Sequence, residues 1–104
     1  MRIAVITDIH GNAAALETVL ADIARRGADL TICLGDIASG AGWPAETVEM
    51  LQAAAIPCLR GNHDRWISEH DPAAMAMQDR VAHEGLTGSL RAWLMELPLA
   101  LRPA

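Results

Sequence analysis

The chain has 104 residues, 52% of them hydrophobic and 20% charged, with a formal net charge of −5 at neutral pH. That length admits one small domain and not two, and no apolar run approaches the ~20 residues of a membrane-spanning helix. All eight basic side chains are arginines, and no cluster among them is able to displace counterions along a phosphate backbone, which argues against a broad nucleic-acid-binding surface.

Met1-Arg2-Ile3 enters a strand without the long apolar region and cleavage site of a signal peptide, so the expected compartment is the cytoplasm. Residues 2–7 read as a first strand whose continuous apolar run suits burial on both faces. A helix over 13–26 follows, with Leu16, Val19, Leu20 and Ile23 as its inward stripe, Asn12 as N-cap and Gly27 as stop. Leu30 to Leu34 is a second strand ending at Gly35-Asp36. A loop through Ser39-Gly40-Ala41-Gly42 leads to Trp43 and to a helix from Pro44 to about Ala55, with Val48 and Leu51 inward. Ile56 to Arg60 reads as a third strand. Short connections between these elements imply a parallel sheet. Beyond Asp64 the spacing predicts a short turn or helix over 65–69, a helix from Pro72 to about His83, another from Ser89 to Glu96, and a fourth strand starting at Leu99. Cys33 and Cys58 fall in strands without a CxxC spacing and read as buried, reduced thiols.

Each of the first three strands ends in a polar cluster: Asp8-Ile9-His10, Gly35-Asp36 and Gly61-Asn62-His63-Asp64. In an open parallel α/β sheet, ligands bind beyond the carboxyl ends of the strands, which brings the three clusters to one edge. In an extended chain Asp8 and His10 project to the same side and can reach one borderline divalent cation. A turn-capping Asp beside a solvent-exposed His has the same spacing. Asp64 suits either orientation of a ligand histidine or a helix N-cap, and Asn12 either a phosphate contact or its cap. Arg60 and Arg65 suit either a guanidinium fork on phosphate or structural pairing with acids. His70 and His83 read as surface residues, Met75 and Met77 as core filler or a lid face, and Trp43 as an overhang or a hydrophobic staple.

The three clusters together resemble the pattern of the calcineurin-like metallophosphoesterases, in the form found in the bacterial and archaeal single-domain branch. The resemblance implies a dinuclear centre holding two divalent ions, Mn, Fe, Zn or Ni. In it Asp8 and His10 would bind the first metal, Asp36 would bridge, and the Asn62 side-chain carbonyl would bind the second. His63 would stand near the scissile ester as general acid or stabiliser of the leaving oxygen. Asn12, Asp64 and Arg65 would support the ligands or the phosphate. Two such ions activate a shared water and clamp a phosphoryl group for in-line attack. The implied substrate is a phosphate ester, with monoesters, diesters and cyclic nucleotides all open. Gly35-Asp36 runs into Ile37-Ala38-Ser39-Gly40 without the Arg-Gly pair usual in protein phosphatases and dinucleoside tetraphosphatases.

The later histidine motifs of the family are absent. The expectation is therefore an α/β fold over residues 1–104: the parallel βαβαβ half of a metallophosphoesterase α/β sandwich, followed by two helices and a fourth strand, the C-terminal half of the domain being missing. Such a half holds one metal weakly, leaves a sheet edge uncovered and tends to self-associate or to take a complementing C-terminal half. Low or no activity is expected of it alone. The alternative function is a non-catalytic metal-binding fragment, or a subunit completed by a partner chain. A nucleotide-binding Rossmann-like domain lacks support, because Gly11-Asn12-Ala13-Ala14 does not supply the phosphate loop.

Overall fold

The computed structural model describes residues 1–40, 42–69 and 71–102, without the side chain of Pro72. The expectations that involve Ala41, His70 and the chain end at Pro103-Ala104 lie outside the described residues. Strand β1 (Ile3–Ile6) pairs in parallel with β2 (Leu30–Cys33), Ile3 opposite Leu30 and Ile6 opposite Cys33. Between them runs α1 (Ala13–Arg26), with the bounds expected of it. Its N-terminus is capped by Asn12, whose Oδ1 accepts from Ala15 N–H at 3.0 Å, and Gly27 closes it with its N–H on the Ile23 carbonyl. Pro44 opens α2 (Pro44–Ala53), which buries Val48 and Leu51 completely. Then come α3 (Asn62–Glu69), a 3₁₀ turn at Pro72–Ala74, α4 (Met77–Gly85) and α5 (Gly88–Met95). The last three helices pack together, α3 on both α4 and α5, while α2 packs on α1 and α4. One apolar cluster joins them, including Leu16, Cys33, Ile37, Leu51, Ile67 and Leu94.

Four expectations change. The third strand is reduced to a single parallel bridge between Cys33 and Cys58. Cys33 donates to the Pro57 carbonyl and receives Leu59 N–H, but Pro57 has no N–H to extend the ladder. The described residues of the expected fourth strand carry no strand; Arg60 N–H takes the Pro98 carbonyl and Leu99 stands exposed. β1 is not buried on both faces, since Ile3 and Val5 are 39% and 55% exposed. Among the described residues its other edge has no partner. The helix expected from Pro72 starts instead at Met77, after the 3₁₀ turn.

The stripe of α1 is partly uncovered for the same reason: Leu16 is buried while Val19 is exposed. Val5, Leu16 and Val19 line an open apolar hollow of about 440 Å³ that runs along β1 to Asp8. Met75 packs inward and Met77 does not. His83 is no surface residue: it is half-buried with Nδ1 2.9 Å from the Ile67 carbonyl. Both cysteines are free and buried.

Candidate metal centre

The chain leaves β1 at Ile6 and does not stay extended, so the expected alternation of Asp8 and His10 is not how they meet. Asp8, His10 and Asp36 all adopt left-handed backbone conformations, with φ of 54°, 49° and 53°. Non-glycine residues rarely do so, and each costs on the order of 1 kcal/mol unless its surroundings impose it. Here the imposing contacts are a ladder of backbone hydrogen bonds between the two loops: Asp8 N–H to Gly35 O, His10 N–H to Asp36 O, and Gly11 N–H to Ile37 O, at 3.1, 3.0 and 2.8 Å. This stitching brings Asp8, His10 and Asp36 together, one donor atom from each lying within 4.8 Å of the others.

Each side chain is held by a neighbour. His10 Nδ1 faces the Ser39 carbonyl at 3.0 Å and its hydroxyl at 3.2 Å, leaving Nε2 toward Asp8 Oδ1 at 3.4 Å. A histidine that donates one ring N–H to a carbonyl presents the other nitrogen as a ligand. Thr7 donates its hydroxyl to Asp8 Oδ2 at 2.7 Å, and this bond, with His10 nearby, holds the Asp8 carboxyl below its usual value. Asp36 Oδ1 accepts His63 N–H at 3.1 Å.

Asp64 takes neither of its expected roles in full. It touches no histidine ring. It is fully buried in the first turn of α3, where its two oxygens accept N–H groups from Gly61 at 2.8 Å and from Asp36 and Ile37 at 2.9 Å each. The bond to Gly61 is the backward half of a capping box. The other two tie the loop bearing Asp36 to the start of α3. Burial pushes the Asp64 carboxyl up, opposed by those three donors.

Close approach at this junction explains two glycines. A Cβ on Gly35, at φ +107°, would lie 2.5 Å from Gly61 N, and one on Gly61 would lie 2.5 Å from Asp36 Oδ1. Gly61 has no positive φ, so its reason is space and not a turn.

His63 stands beside the cluster, its ring 5.5 Å from that of His10 and nearly perpendicular to it. Its Nδ1 lies 2.9 Å from Oδ1 of Asp79, a carboxylate from α4 that is 3% exposed. Asn62 is exposed, between Gly61 and His63, and its side chain makes no hydrogen bond among the described residues. Arg65 is exposed on α3, and Arg60 is a structural partner, with Nη1 3.0 Å from the Met95 carbonyl. The Asn12 oxygen is engaged in its cap, the second of the two roles expected of it. Thr7, Ser39 and Asp79 were missed in the sequence. Their one-residue signals, a hydroxyl or an acid in a polar stretch, are common to any surface.

Two carboxylates and an imidazole fit a divalent cation by donor chemistry and by spacing. A family model described as calcineurin-like phosphoesterase matches residues 1–99. An uncharacterized protein from Methanocaldococcus jannaschii is 47% identical over 62 residues, which are 60% of this chain and 26% of that protein. The crystal structure of a metallophosphoesterase from Sphaerobacter thermophilus is similar with a TM-score of 0.72 and 32% identity, over 94% of this chain and 42% of that one. The chain thus spans less than half the length of the structure it matches. No helix among the described residues is long and apolar enough to cross a membrane. The family implies divalent metal ions, and Asp8, His10 and Asp36 are positioned to bind one. The chain belongs to the calcineurin-like phosphoesterases.

Proposed function

We propose that this chain supplies the first-metal side of a centre that hydrolyses phosphomonoesters or phosphodiesters. The observation that carries the proposal is the convergence of Asp8, His10 and Asp36 on one point, with His63 beside them. Asp8 and His10 would hold a first ion, and Asp36 and Asn62 are the residues that would serve a second. The identity of the ions is open among Mn, Fe, Zn and Ni. When bound, divalent ions lower the pKa of a shared water and neutralise charge on the phosphoryl group. The chain's own residues do the rest. Ser39 orients His10 so that Nε2 is the ligand atom, and Thr7 keeps the Asp8 carboxylate ionised. Asp79 fixes the His63 ring through Nδ1, which leaves Nε2 to give a proton to the leaving oxygen or to hydrogen-bond it. The buried thiols suit a reducing cytoplasm.

The second reading is a metal-binding subunit completed by a partner: a second copy or a complementing C-terminal half. The bare edge of β1 and the apolar hollow leading to Asp8 favour it. Titration with Mn²⁺, read by calorimetry, together with hydrolysis of p-nitrophenyl phosphate and its bis-ester, tests both. The expected result is one ion per chain, with affinity lowered at least ~10-fold by His10→Ala, and weak hydrolysis. Two ions per chain with full-rate turnover by the monomer would overturn the second reading; no binding, or binding indifferent to His10→Ala, would overturn the first.

A further inference from the structure

A hollow of about 190 Å³ opens at the start of α3, lined by Arg60, Gly61, Asn62, Arg65 and Leu99. Two of these five residues are arginines and none is an acid, in a chain whose net charge is −5. Arg60 forms the floor: its side chain is 17% exposed, braced by the Met95 carbonyl and by Glu69 at 3.6 Å, and its buried Nε has no partner. Arg65 is exposed, and its guanidinium makes no hydrogen bond or ion pair among the described residues. Other arginines are committed: Arg25 and Arg26 to Asp22, Arg2 to the carbonyls of Arg26 and Gly27, Arg91 to those of His83 and Leu86. The Asn62 side-chain amide and backbone N–H are likewise uncommitted among the described residues. A guanidinium fork with adjacent N–H donors is the donor set that recognises a tetrahedral or planar oxyanion.

The hollow shares Asn62 with the candidate metal centre, yet Asp8, His10, Asp36 and His63 do not line it. A group seated there lies next to the reacting ester and not on it. We infer that this hollow is a subsite for a second oxyanion group of the substrate, a phosphate or carboxylate carried beside the ester that is cleaved. The inference rests on the phosphoesterase reading and narrows its substrate class to esters with at least one further acidic group. Arg65 supplies the fork, and Arg60, held by Glu69 and the Met95 carbonyl, forms the floor.

Inorganic phosphate in metal-depleted buffer at fixed ionic strength isolates this subsite from the metal centre. Backbone amide shifts of residues 60–65 are followed by NMR as phosphate is added. Saturable shifts there are expected in the wild-type chain, weakened about tenfold by Arg65→Ala, less by Arg65→Lys, and unchanged by His10→Ala. The exposed Arg65 makes its variants safe for folding, which the unperturbed remainder of the spectrum checks. Equal phosphate binding by wild type and Arg65→Ala, or shifts that vanish in His10→Ala, would overturn the subsite. If phosphate binds as expected while Mn²⁺ binding fails, the anion site stands and the phosphoesterase reading falls; the converse result removes the subsite alone.

Discussion

Asp64 shows how a single buried carboxylate sets the geometry of this centre from outside it. Its three N–H partners belong to Gly61, Asp36 and Ile37, so it joins two strand-end loops that the His63 N–H bond to Asp36 also ties. Asp64→Asn replaces one acceptor oxygen by an N–H₂ group that faces buried donors. The expected loss is ~2–4 kcal/mol in urea-induced unfolding, with Mn²⁺ affinity reduced as Asp36 is freed. A variant as stable as wild type would show that the clamp is dispensable. At this scale the sequence was partly legible. The types and order of Asp8, His10 and Asp36 could be read directly, whereas Asp64 offered two roles and assumed a third. Asp79 could not be read at all, since its meaning is the 2.9 Å bond to a ring sixteen residues away.

Among elements, the weakest is the segment of residues 56–60, which a proline limits to one bridge. Its hold on β2 is two backbone hydrogen bonds to Cys33 and the packing of Cys58 within the core. The hydrogen bond to Cys33, then burial, push the Cys58 thiol far above its ordinary value of 9.0. A group whose folded pKa is raised contributes stability that is complete below its unfolded pKa and is lost as pH rises above it. The unfolded chain releases this proton above pH 9 while the folded chain keeps it. Unfolding free energy should therefore fall as pH rises on the alkaline side. The chain has no tyrosine and no lysine, and the other group titrating in that range is Cys33, whose thiol the same hydrogen bond pulls down. Chemical denaturation from pH 8.5 upward checks this, and Cys58→Ala should flatten the slope. By contrast the helices were legible as elements because their signals are local: Asn12, Gly27 and Pro44 each act on the turn they adjoin.

The whole molecule carries one unbalanced surface. Ile3 and Val5 are exposed on β1, whose outer edge has no partner among the described residues, and Val19 of α1 is exposed beside them. An apolar unpaired edge is a template for another strand. Association of the isolated chain that grows with concentration is expected in sedimentation velocity. Val5→Lys, which places a charge on that edge, should shift it toward monomer without altering Mn²⁺ binding. A wild-type chain that stays monomeric at high concentration would contradict this.

What the sequence determined by itself was both ends of α1, the start of α2 and the three polar clusters, because each depends on neighbours a few residues apart. It also pointed to the right family, through the order of those clusters. What only the tertiary structure decided was how the clusters meet. Asp8, His10 and Asp36 converge through left-handed backbone held by cross-loop hydrogen bonds, and not through strand alternation. Sidedness was decided there too: an apolar run looks the same whether one face or two are covered, and only the arrangement of the other elements leaves Ile3 and Val5 bare.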